Sequence, residues 1–238
     1  MTDLLFQTDG YVKEFDATVI EINSEENKLV LDRTAFYPGG GGQPHDTGEI
    51  VFNSQILPMV KVKNEGGKVW HWIDGAVPAI GTKITGKIDW ERRFKLMRTH
   101  SALHVLCGVV WRDYGAQVTG GNMEPLKGRM DFEFETLQRE LVTEIEDKVN
   151  AEIEKGHDIK VKILPREQAF QIPDLIRTKI NLLPPFITEV RTVEIIGLDL
   201  QADGGTHVAN TSEIGHVRIV DYKSKGKINK RIHIELDE

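Results

Sequence analysis

The sequence predicts an α+β protein: a small β-barrel over residues 1–90, then a mixed α+β unit over 91–238. Three observations lead there. Short β-branched segments separated by turn residues fill the first third of the chain. A long 3.6-residue hydrophobic period begins after Asp89. Beyond it, strand patterns alternate with a second long helical pattern, and long helices bury their apolar faces against a sheet. The 238 residues, 39% hydrophobic and 28% charged, provide for one large or two modest globular domains.

In chain order, residues 13–23 and 28–32 are β-branched runs joined by the polar turn Ser24-Glu25-Glu26-Asn27, the pattern of a hairpin. Runs at 48–52, 55–63, 68–73 and 83–89 follow, broken by Asn64-Glu65-Gly66-Gly67 and Pro78-Ala79-Ile80-Gly81. Short strands at this spacing suit a small barrel. Residues 90–114 then read as a helix, with Phe94, Met97, Ser101, Val105 and Val109 along one broad stripe and Gly115 as its stop. Residues 129–135 alternate Met130, Phe132 and Phe134 with Asp131, Glu133 and Glu135, as a half-buried strand does. Thr136 is placed to cap a helix in which Leu137, Leu141, Ile145, Val149 and Ile153 recur every fourth residue, ending at Gly156. Strands at 158–164, 188–196, 216–222 and 227–236, with a short helical piece near 166–171, complete the second unit.

Several classes are excluded. No apolar run approaches the ~18 residues of a membrane-spanning helix, and the first residues lack the basic patch and apolar run of a signal peptide. A single cysteine, Cys107, rules out an intramolecular disulfide and a Cys-rich zinc ribbon. A cytoplasmic location follows most simply. Taken whole, the net charge of −7 disfavours nucleic acid, but residues 131–154 alone carry nine acidic and two basic side chains, and the remainder sums to zero. Lys87, Arg92, Arg93, Lys95 and Arg98 gather at the start of the first helix, and Lys223, Lys225, Lys227, Lys230 and Arg231 near the C-terminus. Such runs supply the phosphate contacts RNA binding needs, or form solvated surface.

His100 and His104 stand at i and i+4 within the first helix, so both imidazoles project from one face. Two nitrogens that must converge on one ion use this spacing, although one buried and one surface histidine fit it equally. Asp203 and His207 are also four apart, around Gly204-Gly205, which breaks any helix and lets the backbone turn. Together the four form a candidate zinc site. Cys107, three residues after His104, is a rival fourth ligand and also an ordinary core residue. The remaining histidines, His45, His71, His157, His216 and His233, have no partner at metal spacing. Gly39-Gly40-Gly41-Gly42 in the segment from Thr34 to Asp46 lacks the Lys-Ser/Thr of a phosphate loop. Its backbone N–H groups can approach a ligand closely, and Gln43 adds an amide.

Three segments resemble the signatures of the alanyl-tRNA editing family, which comprises the editing domain of alanyl-tRNA synthetase and the free-standing AlaX proteins. They are Thr34-Ala35-Phe36-Tyr37-Pro38-Gly39-Gly40-Gly41-Gly42-Gln43, Arg98-Thr99-His100-Ser101-Ala102-Leu103-His104 and Gln201-Ala202-Asp203-Gly204-Gly205-Thr206-His207-Val208. They occur in the family's order and span nearly the whole chain, in the manner of the medium-length AlaX form. The resemblance implies a barrel followed by the editing domain of the threonyl/alanyl-tRNA synthetase type. It further implies a deacylase acting in trans on tRNA(Ala) mischarged with serine, alongside glycine. By motif position His100, His104, His207 and Asp203 would hold one Zn²⁺, with Asp203 standing where the family commonly has cysteine. Such an ion activates water or holds the ester. Gln43, or the N–H groups of Gly40, Gly41 and Gly42, would read the serine hydroxyl or steady an oxyanion. The stretch from Gln117 to Asn122, with Thr119, is a second candidate pocket wall, and Arg92 and Arg93 are candidate tRNA contacts. Two other readings stay open: a zinc-stabilised tRNA-binding module with a closed four-ligand site, and a metallohydrolase of another ester or amide.

Overall fold

The computed structural model describes residues 2–178, 183 and 187–238. The chain divides into two compact units, Met1–Lys95 and Leu96–Glu238.

In the first unit the strands are β1 (Asp3–Leu4), β2 (Glu14–Asn23), β3 (Lys28–Leu31), β4 (Arg33–Thr34), β5 (Gly48–Phe52), β6 (Gln55–Glu65), β7 (Lys68–Ile73) and β8 (Lys83–Ile88). Six of them close into an antiparallel barrel in the order β2-β3-β7-β6-β5-β8, while β1 and β4 form a separate parallel pair. The period of two does the work of closure: Phe15, Ala17 and Val19 of β2 point inward and the residues between them outward. Phe36, just after β4, fills the barrel interior, edge-on to Phe15 at 5.4 Å and against the His71 ring at 5.8 Å. Its fit depends on two glycines. A Cβ on Gly86 would stand 2.6 Å from the Phe15 ring, and one on Gly48 would stand 2.1 Å from the Lys87 carbonyl. His71 is fully buried with its Nε2 2.8 Å from Thr34 Oγ1. Burial pushes it down to about 4, so the ring is neutral at physiological pH.

The second unit begins within α1 (Trp90–Tyr114) and continues through β9 (Val118–Glu124), β10 (Lys127–Glu133), α2 (Arg139–Glu154), β11 (Ile159–Pro165), α3 (Arg166–Ala169), β12 (Glu189–Ile195), β13 (Asp199–Ala202), β14 (Val217–Ser224) and β15 (Asn229–Leu236). Asp89 caps α1 by accepting the Arg92 N–H at 3.2 Å. A four-stranded antiparallel sheet, β14-β15-β10-β9, turns Met130, Phe132, Ile232 and Ile234 into the core. A three-stranded sheet, β11-β12-β13, carries the chain to Asp203. Among the described residues no helix is long and apolar enough to cross a membrane.

Three expectations need correction. Thr136 does not cap α2; the helix starts at Arg139 after an uncapped Gln138. The chain stays extended past β10 because Phe134 must reach Tyr114 and Phe132, both at 6.0 Å between ring centroids. Residues 117–122, to which the sequence pattern assigns no strand, lie largely in β9, whose Gly120-Gly121 erases the alternation that marks a strand. The first helix is not buried along one stripe: every residue from Thr99 to Val110 is buried. A helix enclosed on all sides is apolar nearly all round, which makes its two histidines conspicuous.

Candidate metal centre

His100 and His104 lie in this enclosed stretch of α1, 4% and 6% exposed. An imidazole cannot be left there without polar partners except at a cost of ~1–3 kcal/mol. The partners arrive on the turn after β13. Asp203 bends the chain through its own side chain, Oδ2 accepting the Gly205 amide at 2.7 Å. Neither Gly204 nor Gly205 adopts a left-handed backbone, so the carboxylate holds the turn. Four residues on, His207 points back: its Nε2 is 3.1 Å from Asp203 Oδ2, and His100 Nε2 is 3.5 Å from Oδ1.

The three imidazoles pack face to edge and face to face, with centroids 4.2 Å apart for His100–His207, 4.6 Å for His104–His207 and 5.0 Å for His100–His104. One donor atom from each of His100, His104, Asp203 and His207 lies within 4.8 Å of all the others. Ser101, one residue after His100, places its hydroxyl 3.1 Å from His207 Nδ1 and accepts the Val208 amide at 3.2 Å. This fixes the ring from behind, as an outer partner of a metal-binding histidine does.

Burial pushes all three rings down, His100 to about 3 and His104 and His207 to about 4. For Asp203 burial works against ionisation, but His100 and His207 beside it hold its carboxyl well below the usual range. Neutral imidazoles and an ionised carboxylate are the protonation states that metal ligation requires. His104 Nδ1 is buried and has no hydrogen-bond partner among the described residues. Three nitrogens, one hard oxygen and an orphaned buried nitrogen fit a divalent transition metal.

Cys107 does not join the cluster. It faces the base of β13, near Asp199 and Gln201, and burial pushes its thiol far up, so it is an inert core residue. Thr119 is exposed on β9, its hydroxyl donating to Asn229 Oδ1 at 3.1 Å.

The glycine motif belongs to the barrel unit. Gly39 to Gly42 all have positive φ, between 57° and 143°, which only glycine adopts in succession. Gly40 and Gln43 exchange backbone hydrogen bonds at 3.0 and 2.9 Å, and Gln43 is buried. Arg92 is half-buried and donates to the His45 carbonyl at 3.1 Å. Arg93 is a correction. It is fully buried, ion-paired with Asp46 and bonded to the Ala35 and Gly10 carbonyls at 2.6 and 3.0 Å. Its Nε, Nη1 and Nη2 all donate within the barrel unit, to Asp46, Gly10 and Ala35, so the guanidinium braces the residues on either side of the glycine loop instead of facing solvent. Arg191, which donates to the Asp203 carbonyl at 2.9 Å, carries no spacing signal and was invisible in sequence.

The chain is similar to known proteins over nearly its whole length. Residues 190–233, which include Asp203 and His207, match the family described as the Threonyl and Alanyl tRNA synthetase second additional domain. Residues 7–92 match tRNA synthetases class II (A). The Alanyl-tRNA editing protein AlaX-M of Saccharolobus solfataricus is 40% identical over 237 residues, 98% of each chain. That of Methanosarcina barkeri is 38% identical over 242 residues, 99% of each. The Alanine–tRNA ligase of Ignicoccus hospitalis is 39% identical over 225 residues, which cover 92% of this chain and 24% of the ligase. Similarity of this extent, along essentially the full length of both chains, means that the protein belongs to the alanyl-tRNA editing protein AlaX-M family.

Proposed function

We propose that this protein edits in trans, hydrolysing the ester that joins a wrong amino acid to the terminal ribose of tRNA(Ala), with Ser-tRNA(Ala) as its substrate and Gly-tRNA(Ala) as the competing species. The observation that carries the reading is the convergence of His100, His104, Asp203 and His207 in a chain of this family. Those four side chains would hold the Zn²⁺ ion, which when bound would supply Lewis acidity toward the ester carbonyl and toward water. The protein's own part is to keep the imidazoles neutral through burial and the carboxylate ionised. Ser101 holds His207 in its orientation.

The barrel, as domain 1–90, contributes the glycine motif, and residues 91–238 form the deacylase domain. Motif position assigns Gln43 and the N–H groups of Gly40, Gly41 and Gly42 to the serine hydroxyl or to the developing oxyanion. A site built around that hydroxyl rejects alanine, because a buried donor or acceptor left unpaired costs ~1–3 kcal/mol. Arg92 remains the tRNA contact at the start of α1, and the substrate places the protein in the cytoplasm.

Four protein donors are also the number that a structural zinc site uses. A zinc-stabilised tRNA-binding module would bind without turnover, so the deciding experiment is single: purified protein and Ser-tRNA(Ala), with release of serine as the readout. Wild type should deacylate, and His100→Ala should not while retaining its circular dichroism spectrum. Metal-loaded wild type that binds tRNA(Ala) yet leaves the ester intact would establish the module instead.

A further inference from the structure

Asp203 is the first residue beyond the end of a sheet. The β12–β13 ladder finishes at Thr192 opposite Ala202, so regular strand pairing no longer fixes the residue that follows. Arg191 takes over at this point. Its carbonyl accepts the Asp203 amide at 3.1 Å, and its Nη1 returns to donate to the Asp203 carbonyl at 2.9 Å. The same Nη1 lies 3.7 Å from Asp203 Oδ2, and the two side chains are 8% and 13% exposed. The carboxylate therefore stands between the Gly205 amide of its own turn and a guanidinium from the neighbouring strand.

A buried carboxylate needs a countercharge and a fixed donor to stay in one orientation. Among the described contacts of Asp203, Arg191 supplies a guanidinium, a charge that does not depend on pH. Arginine suits this better than lysine, because one planar fork can serve the carbonyl and face the carboxylate at once.

We infer that Arg191 is a positioning residue of the metal centre, holding the Asp203 carboxylate toward His100 and His207 before an ion enters. The inference rests on the metal-centre reading above and adds to it a residue that touches no ion. Partners of this kind are worth about 10–100-fold in metal affinity.

The test is the Zn²⁺ dissociation constant of the full chain, measured by chelator competition for wild type, Arg191→Met and Arg191→Lys, each also in an Asp203→Cys background. With Asp203 present, Arg191→Met should weaken binding by about 10–100-fold, with Arg191→Lys recovering part of the loss. With Asp203→Cys the carboxylate is gone, and Arg191→Met should change affinity by no more than about threefold. Thermal unfolding of the metal-free proteins checks that each variant folds, and Arg191→Lys serves if Arg191→Met does not. Unchanged affinity with Asp203 present, or an equal loss in both backgrounds, overturns the inference and makes Arg191 a purely structural residue. Failure of wild type to take up one equivalent of Zn²⁺ is a different result, which removes the metal reading itself and the inference with it.

Discussion

Arg93 Nε lies 2.9 and 3.1 Å from the two carboxylate oxygens of Asp46, and both side chains are shut away from solvent. The carboxylate also accepts the Tyr37 amide at 2.6 Å, so one buried ion pair ties the residues before and after the glycine loop to the first turn of α1. Removing one partner strands a charge in the interior, at a cost of about 3–5 kcal/mol. Arg93→Ala and Asp46→Ala should each lower the urea-unfolding free energy by that order, and the double variant by less than the sum. An RNA-contact role for Arg93 would show the reverse: normal stability and weakened, salt-dependent tRNA binding.

Asp203, rather than Cys107, should decide metal retention. Asp203 sits among the three imidazoles, whereas Cys107 lies about one turn along α1, beside Asp199 and Gln201, with burial keeping its thiol protonated. Elemental analysis of purified variants should find Asp203→Ala depleted of metal and Cys107→Ala loaded like wild type. A depleted Cys107→Ala would return the thiol to the ligand set.

Much of this was legible in sequence because the signals were local. The barrel strands fall within two residues of where alternation places them, and α1 spans the expected 90–114. Two i, i+4 pairs identify the side chains that converge, although only tertiary structure brings the helix and the turn together. Long-range contacts were hidden. Arg93 reads as one member of a basic run until the barrel buries it against Asp46, 47 residues away in sequence. Arg191 reads as an ordinary strand residue, since its role depends on strand register. β13 was also missed: Asp199 and Gln201 make a four-residue strand look like a polar loop, but their side chains hydrogen-bond each other, Asp199 buried and Gln201 half-buried.

Ser101 offers a gentler probe than any ligand substitution. Its hydroxyl serves His207 Nδ1 and the Val208 amide together, so Ser101→Ala frees the ring to rotate and leaves one buried N–H unpaired. The expected stability loss is about 1–2 kcal/mol, and Zn²⁺ affinity should fall by about 10–100-fold. Chelator competition beside urea unfolding separates the two effects. Weakened stability with unaltered affinity would mean that the hydroxyl secures only the chain around Val208.

The buried histidines set the acid limit of the metal-free protein. His71 is pushed down to about 4, His104 and His207 to about 4 and His100 to about 3, each by burial. An unfolded histidine titrates near 6.5, so as pH falls below that value the unfolded chain takes up protons that the folded chain refuses. Stability is therefore complete above about pH 6.5 and declines between about 6.5 and 4, by about 1.4 kcal/mol per pH unit for each proton. Asp203 adds to the decline in the same direction, because its lowered carboxyl stabilises the fold above the ordinary carboxylate range and that contribution is lost as pH drops through its folded value. Urea unfolding at pH 7.5, 6.5, 5.5 and 4.5, taken as order-of-magnitude sampling points across that window, should show a plateau and then a fall. His104→Gln removes one titrating ring and should make the fall shallower by about one proton's worth. A wild-type profile that stays flat to the acid end would mean that the folded protein takes up these protons as readily as the unfolded chain, which overturns the lowering of the imidazoles by burial.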